Sequence, residues 1–84
     1  FEKIPAKLAA EVTAAVDCPT IGIGAGADCD GQVLVLHDML GITQAFSPRF
    51  LRRYGDLGDQ MFSAIRQYVT DVRAVDFPNE SEQY

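Results

Sequence analysis

Several short groups of residues in this 84-residue chain have side-chain types and spacings that could carry chemistry. His37 and Asp38 are adjacent, and an imidazole beside a carboxylate can act in general acid–base catalysis. They directly follow the apolar run Val33–Leu36, and parallel α/β folds place active-site loops at the carboxyl ends of such strands. Because no nucleophile or second metal ligand lies near them in the sequence, we favour a hydrogen-bonded structural pair.

Three alternating glycines, Gly22, Gly24 and Gly26, would let the backbone approach an anion, as glycines do in phosphate-binding loops. The dinucleotide fingerprint requires G-x-G-x-x-G at the opening of a helix, whereas the third glycine here leads into an acidic loop. We therefore expect a tightly packed strand end. Phosphate binding at Gly24 and Gly26 is the less favoured alternative.

Acidic residues occur at two further places of interest. Asp28, Asp30 and Gly31 resemble the start of a calcium-binding loop, but the third oxygen ligand and the terminal glutamate of such a loop are absent, so we expect a solvated turn. Glu2 lies just before a proline-led helix, where a carboxylate ordinarily interacts with the helix dipole. If residues before Glu2 form a strand, its side chain instead lies at a strand's carboxyl end, as His37 and Gly24 do at the ends of theirs.

Helical and strand patterns alternate in the first half of the chain. Pro5 fits a first helical turn, and apolar residues then recur at four-residue spacing, which predicts a helix over 5–16. Pro19 ends that helix, since the residue before a proline avoids the α conformation, and a strand is predicted over 20–24. The unalternating run Val33–Leu36 is typical of a strand buried on both faces.

The second half predicts one short and one long helix. Ser47 and Pro48 supply an N-cap and first-turn pair for a short helix that reaches Tyr54. Residues 57–74 carry apolar side chains at helical spacing with charges between them, which predicts an amphipathic helix. Residues 77–84 are a tail.

The relative direction of the two predicted strands is open. Only about eight residues separate them, whereas a parallel crossover usually takes about a dozen or more. Asp30 followed by Gly31 is also a common hairpin dipeptide. The second run, without alternation, favours a parallel strand covered on both faces, so the residues alone do not decide.

Charge and cysteine content exclude several classes of function. Twelve acidic and seven basic residues give a net charge of −5, which leaves no basic surface for nucleic-acid phosphates. No apolar run approaches the roughly 20 residues of a membrane span. Cys18 and Cys29 have no metal-ligand or redox spacing and predict reduced thiols in a cytoplasmic protein.

Taken together, the motifs resemble the ketopantoate hydroxymethyltransferase family over essentially the whole chain. The matching segments are Glu2–Ala6, Pro19–Gly26, Cys29–Val35, His37-Asp38, Pro48–Phe50, Arg53-Tyr54, Ala64–Val72 and Phe77-Pro78. They correspond to the last third of a family member. The earlier strands of such a protein are not in this chain.

This resemblance implies an α/β fold, the C-terminal portion of a (β/α)8 TIM barrel, with residues 1–84 as one segment of a single barrel domain. It places Glu2 at the end of strand six, 20–24 in strand seven and Val33–Leu36 in strand eight, which makes the two predicted strands parallel neighbours. The helix over 57–74 then closes the barrel from outside.

The family transfers a hydroxymethyl group from 5,10-methylenetetrahydrofolate to 3-methyl-2-oxobutanoate, giving ketopantoate for pantothenate biosynthesis. The resemblance implies that Mg²⁺ chelates the keto acid while a general base removes the proton from its branched carbon. Glu2 matches the family's catalytic glutamate. The metal and keto-acid ligands belong to earlier strands, so no metal-binding or cofactor-binding residue is assigned here, and the chain alone is expected to be inactive.

Two further expectations follow from the resemblance, and one alternative stands beside it. Family members are decamers, so we expect a homo-oligomer. Ser81 and Glu82 stand where the family tail carries Glu-His, which puts any contact of that histidine in doubt. The alternative is a small non-catalytic α/β interaction domain whose Tyr54, Phe62 and Phe77 pack against a partner chain.

Overall fold

The computed structural model describes every residue from Phe1 to Tyr84. Its elements in chain order are helix α1 (Ala6–Ala15), strand β1 (Ile21–Gly22), strand β2 (Gly31–Gln32), helix α2 (Leu36–Met39) and helix α3 (Leu57–Arg73). The chain is mixed α/β, as the patterns indicated.

Three neighbouring segments of the chain run parallel. Ile21 of β1 pairs with Gly31 of β2, and on the other side of β1 Glu2 forms a parallel bridge with Ile23. The Lys3 amide donates to the Ile23 carbonyl at 2.8 Å, which continues that ladder. The hairpin alternative is therefore wrong, and the parallel arrangement implied by the resemblance is confirmed.

The connection between β1 and β2 is short because the strands are short. Eight residues, 23–30, join the two strands, and such a segment reaches up to about 26 Å when extended. Two residues of strand rise only about 7 Å. A loop without a helix is therefore long enough to return to the start of the next parallel strand.

Helix α1 forms where the spacing predicts it, within one residue at each end. Pro5 is its N-cap, and Val16, with φ of −109°, returns the backbone to an extended conformation. Small side chains let the helix approach the strand region closely, and Ala9 is fully buried. The alanine-rich composition therefore serves close packing as well as helix propensity.

The run Val33–Leu36 is not a strand, which corrects the sequence prediction. The ladder of β2 ends where the Val33 amide donates to the Gly22 carbonyl at 2.9 Å. Val35 is then the N-cap of α2, whose first residue is Leu36. Burial on both faces is also wrong for this chain, because Val33 and Leu36 are 52% and 57% exposed. A short apolar run has the same pattern in a strand, a loop and a helix entry.

The short helix predicted from Ser47 and Pro48 is also absent. Only a turn forms there, closed by the Leu51 amide donating to the Pro48 carbonyl at 3.0 Å. The backbone after this turn makes a hydrogen bond to a distant part of the chain instead: the Tyr54 amide donates to the Met39 carbonyl at 2.7 Å. These long-range hydrogen bonds replace the local ones that a helix would require.

Helix α3 confirms the amphipathic prediction, and it ends at Arg73, one residue earlier than expected. Its apolar side chains are uncovered within this chain, and Phe62 and Ile65 are 63% and 61% exposed. Neither α3 nor the shorter helices combine the length and apolar character that a bilayer crossing requires.

The chain is extended for its length. Its radius of gyration is 21.4 Å, whereas a compact domain of this size has about 12 Å. Its accessible surface is 6794 Å², against about 4,900 Å² for a folded monomer of the same mass. Only 5 of 84 residues are buried. Ala9 of α1 and, on either side of β1, Thr20 and Ala25 are among the buried residues.

Candidate active site

Glu2 lies at the carboxyl end of the parallel segments. Because Glu2 is paired in register with Ile23, their side chains point to the same face of the sheet, and Ile21, two residues earlier, shares that face. No residue of the chain hydrogen bonds or forms an ion pair with the Glu2 carboxylate, which is exposed. A free carboxylate thus stands at the edge of an apolar sheet face.

The three glycines form a packed strand end, as predicted. A Cβ at Gly22 would lie 2.9 Å from the Cys29 sulfur, and one at Gly24 would lie 2.8 Å from the Phe50 ring. Gly24 and Gly26 also have φ of 66° and 82°, a conformation that side chains disfavour. These glycines are therefore required by close approach and by backbone conformation.

Two cavities open at this end of the strands. The larger, of about 840 Å³, is bordered by Lys3, Gly24, Gly26, Arg49 and Phe50, among others. The second, of about 710 Å³, lies on the β2 side and is lined mainly by apolar residues. Gly24, Gly26 and Phe50 border both cavities. The turn after β1 therefore divides the carboxyl end into two recesses.

The amino ends of β1 and β2 are held by a polar network that sequence reasoning missed. The Asp30 carboxylate accepts hydrogen bonds from the Thr20 amide at 2.7 Å and from the Thr20 hydroxyl at 3.1 Å. The Asp30 amide donates to the Thr20 hydroxyl oxygen at 3.2 Å, and Thr13 of α1 lies 2.9 Å from the same oxygen. Asp30 is exposed in a bend, as the solvated turn predicts, but its carboxylate also acts as a structural clamp on Thr20.

His37 and Asp38 do not form the expected pair. Both lie in α2 rather than at a strand end, and neither side chain makes a hydrogen bond or ion pair in this chain. The hydrogen-bonded pair is therefore wrong. The error follows from the misplaced strand, because Val35 already begins the helix that carries them.

The acidic residues of this chain do not assemble a metal site. No group of three or more histidine, cysteine, aspartate or glutamate side chains is close enough to hold an ion. Asp30 is bound to Thr20, and Asp28 and Asp38 lie on separate segments. These residues do not fit a Mg²⁺ ion.

Two carboxyl groups at the start of α3 have shifted pKa values. The Gln44 side-chain amide donates to the Asp59 carboxylate at 2.8 Å, and this hydrogen bond, followed by one from Asp56, lowers the pKa of Asp59. The pKa of Asp56 is raised, first by its hydrogen bond with Asp59 and then by desolvation. This cluster orders the entry to α3 and lies apart from the strand ends.

The two cysteines are unbonded, and the residues of the C-terminal tail contact one another. Cys18 and Cys29 are both free thiols, as predicted. Ser81 and Glu82, at the positions where the tail departs from the family pattern, bond only locally: the Ser81 hydroxyl donates to the Asn79 side chain at 2.6 Å, and the Asn79 amide donates to the Glu82 carboxylate at 3.0 Å.

Parallel strands with a free carboxylate and glycine turns at their carboxyl ends are the arrangement of α/β enzymes. The family model described as ketopantoate hydroxymethyltransferase matches residues 1–80. The chain belongs to the ketopantoate hydroxymethyltransferase family, and the family is one of enzymes.

Curated relatives agree with this assignment. The chain is 63% identical over 84 residues to the 3-methyl-2-oxobutanoate hydroxymethyltransferase of Parabacteroides distasonis, covering 100% of this chain and 31% of the relative. It is 64% identical to the enzyme of the same name from Phocaeicola vulgatus, with the same coverage. For that of Prosthecochloris aestuarii the identity is 61%, covering 100% of this chain and 30% of the relative. The chain thus spans about a third of the length of these relatives.

Family membership removes the main support for a purely non-catalytic interaction domain. Tyr54 and Phe62 are indeed exposed, at 66% and 63%. Phe77 is 40% exposed and also packs against Tyr68, with ring centroids 5.5 Å apart in an edge-on arrangement.

Proposed function

We propose that these residues act in a 3-methyl-2-oxobutanoate hydroxymethyltransferase, an enzyme of pantothenate biosynthesis. In this reaction 5,10-methylenetetrahydrofolate, water and 3-methyl-2-oxobutanoate give ketopantoate and tetrahydrofolate. Identity above 60% to enzymes of that name supports the activity. The observation that carries our assignment of a role to this chain is the parallel bridge that sets Glu2 at the carboxyl end of the strands.

We propose that the chain is the C-terminal segment of a (β/α)8 barrel. The support is topological: the segment around Glu2, β1 and β2 lie side by side, in chain order and all parallel. The face that carries Glu2 also carries Ile21, which is 59% exposed within this chain. Such an apolar face is what the interior of a closed barrel requires.

In this proposal Glu2 is the general base. Its carboxylate accepts the proton from the branched carbon of the keto acid, and the electron pair of that C–H bond forms the enolate. Water cleaves both C–N bonds of the N5–CH2–N10 bridge, which releases tetrahydrofolate and leaves a one-carbon unit at the oxidation level of formaldehyde. The enolate carbon bonds to that carbon, and the oxygen that came from water takes up a proton and becomes the hydroxyl group. The position of the Glu2 carboxylate supports this role, because it lies at the carboxyl end of the strands and no residue of this chain pairs with it.

The remaining requirements of the reaction lie outside these 84 residues. We place the Mg²⁺ ligands and the keto-acid-binding residues on the earlier strands of the barrel, since no acidic cluster occurs here. We also propose a cytoplasmic homo-oligomer, a decamer by family resemblance. The uncovered apolar stripe of α3 and the two free thiols are compatible with that assembly and compartment.

The test is an assay of the full-length protein that contains this chain. With Mg²⁺, 5,10-methylenetetrahydrofolate and 3-methyl-2-oxobutanoate, we expect ketopantoate to accumulate in proportion to the tetrahydrofolate released. Absence of ketopantoate from correctly folded protein contradicts the proposed activity. The isolated 84-residue chain should form none, and turnover by it at the rate of the full protein would contradict the placement of essential ligands elsewhere.

A further inference from the structure

The larger cavity at the carboxyl ends of the strands has a distinct charge. Among the residues that border its volume of about 840 Å³ are two basic residues, Lys3 and Arg49, and none is acidic. This is unusual for the chain as a whole, which has twelve acidic and seven basic residues. The cavity is therefore a local site of positive charge in an acidic chain.

Most of the other basic side chains already have partners within the chain. Lys7 lies 4.0 Å from Glu11, and Arg53 donates to three backbone carbonyls. Arg52 and Arg66 each lie over an aromatic ring. By contrast, neither Lys3 nor Arg49 makes a hydrogen bond or ion pair through its side chain. Apart from Arg73 at the end of α3, these two are the free cations of the chain.

The backbone at Lys3 gives a second, independent indication of function. Lys3 has φ of 51°, in the left-handed region that residues with a side chain disfavour. Such conformations concentrate at ligand-binding sites, where the surrounding structure enforces them. Here the Lys3 amide donates a hydrogen bond to the Ile23 carbonyl at 2.8 Å. The strand pairing that positions Glu2 therefore also fixes the backbone of Lys3, from which its cationic side chain extends.

The remaining walls of the cavity are apolar. Ile4, Pro48 and Phe50 line it together with the two basic residues. The Phe50 ring is held against Gly24, where an added Cβ would lie 2.8 Å from the ring. A cavity with a fixed aromatic wall and two unpaired cations fits a ligand that has a flat apolar body and a carboxylate at its end.

We propose that this cavity binds the p-aminobenzoyl-glutamate portion of the reduced folate, with Lys3 and Arg49 binding the glutamyl carboxylates and Phe50 contacting the aminobenzoyl ring. The inference rests on the proposed function, because it takes methylenetetrahydrofolate as the co-substrate. Glu2 does not line this cavity. The cavity therefore binds the part of the folate that does not react, beside the residue that performs the proton transfer.

The test compares two co-substrates in the full-length enzyme. One is 5,10-methylenetetrahydrofolate, and the other is the benzamide of 5,10-methylenetetrahydropteroate, which lacks the glutamate and carries no carboxylate. We expect Lys3→Gln and Arg49→Gln each to raise the KM for the folate about fivefold, the size of a partly exposed ion pair. The KM for the keto acid and kcat should stay within about twofold, since the lost contacts are remote from the reacting atoms.

The pteroate derivative separates charge recognition from general damage to the site. The unsubstituted enzyme should bind it at least as weakly as either variant binds the folate, because both cations lose their partner, and the two variants should show no further loss with it. Lys7→Gln and Arg66→Gln are matched controls, because each removes one positive charge that lies outside the cavity. Both should leave the KM values unchanged.

The outcomes also distinguish this inference from the proposed function. An active enzyme whose Lys3→Gln and Arg49→Gln variants keep the original KM for the folate overturns the cavity assignment alone. If the two variants raise the KM for the pteroate derivative by the same factor as the KM for the folate, the cavity assignment is also overturned. The two cations would then not be binding the glutamyl carboxylates. If the unsubstituted protein forms no ketopantoate, the proposed function itself fails.

Discussion

The two ends of the parallel strands are built differently. At the amino ends, the side chains of Thr13, Thr20 and Asp30 bond to one another, and Thr20 is only 5% exposed. At the carboxyl ends, the charged side chains of Glu2 and Arg49 have no partner within the chain. One end satisfies its polar groups internally, and the other leaves them available.

This difference indicates that the amino ends of the strands contribute to stability, whereas the carboxyl ends are available for binding and chemistry. A buried polar group that is hydrogen-bonded stabilises a fold, whereas a catalytic or binding group must be free to meet a ligand. Parallel α/β barrels place their active sites at the carboxyl ends of the strands and reserve the amino ends for stability. Substitutions at the two ends should therefore affect different measurements.

The largest expected effect is at Glu2. In the full-length protein, Glu2→Gln removes the proposed proton acceptor and should lower kcat by about 10²–10⁴-fold, the usual contribution of a general base. The KM for the keto acid should change less than about twofold, and the thermal midpoint should not fall. Exchange of the keto acid's branched-carbon hydrogen in D₂O isolates the proton transfer, and it should slow by the same factor. Unchanged exchange would remove Glu2 from the mechanism.

The second largest effect is at the opposite end of the strands. Asp30→Ala leaves the buried Thr20 amide and hydroxyl without their acceptor, which should cost about 2–3 kcal/mol of folding free energy. Denaturant unfolding of the full-length protein measures this loss, while kcat per folded molecule should be unchanged. Asp28→Ala is the matched control, since Asp28 is exposed and has no hydrogen bond. Equal losses at both positions would contradict the clamp.

A smaller effect is expected at the glycine turn. At Gly26, φ is 82° and a Cβ would lie 2.5 Å from that of Ala6, so Gly26→Ala should destabilise the protein by at least about 1–2 kcal/mol. At Gly31 the nearest atom to an added Cβ is 3.6 Å away, and Gly31→Ala should cost less than about 0.5 kcal/mol. The thermal midpoints of the two variants should be measured side by side. A large loss at Gly26 alone shows that stability depends on the space and backbone conformation at that position and not on loss of a glycine as such.

The smallest effect concerns a polar pair at neither end of the strands. The hydrogen bond from Gln44 lowers the pKa of Asp59 from its ordinary 3.8, so Gln44→Leu should raise that pKa, as carboxyl ¹³C NMR titration would show. A carboxyl group whose pKa is lowered by folding stabilises the fold at pH values above its ordinary pKa. That stabilisation is lost as the pH falls through the lowered pKa of the folded state. The raised pKa of Asp56 acts in the opposite sense. The change in stability with pH should therefore be small, in contrast to Asp30→Ala.

Helices α1 and α3 were predictable because their determinants are local, whereas α2 was not. The spacing of apolar residues predicts α3 to within one residue, and the proline before α1 sets its start. The predicted helix after Ser47 failed because Tyr54 bonds to Met39, a residue far from it in the chain. Propensity is a weak guide where long-range hydrogen bonds compete with it.

The candidate site was predictable only in part. The resemblance pointed to Glu2, and strand pairing supplied the reason why its position matters. Lys3 and Arg49 are 46 residues apart in the sequence, and no spacing rule connects them. The clamp at Asp30 was missed because an acidic residue before a glycine has the same sequence pattern whether or not its carboxylate also bonds to a neighbouring strand.

By itself, the amino-acid sequence determined the two long helices, the need for glycine after β1, the reduced cysteines and the family to which the chain belongs. Each of these depends on neighbouring residues or on a pattern that can be read along the chain. The spacing of the residues left the direction of the strands open, and the tertiary structure decided it in favour of the parallel arrangement that the resemblance implied. Only the tertiary structure showed that β2 ends before the apolar run and that Lys3 and Arg49 border one cavity. The physical reason is that strand pairing and cavity formation join residues far apart in sequence, and their free energy depends on contacts that no local pattern encodes.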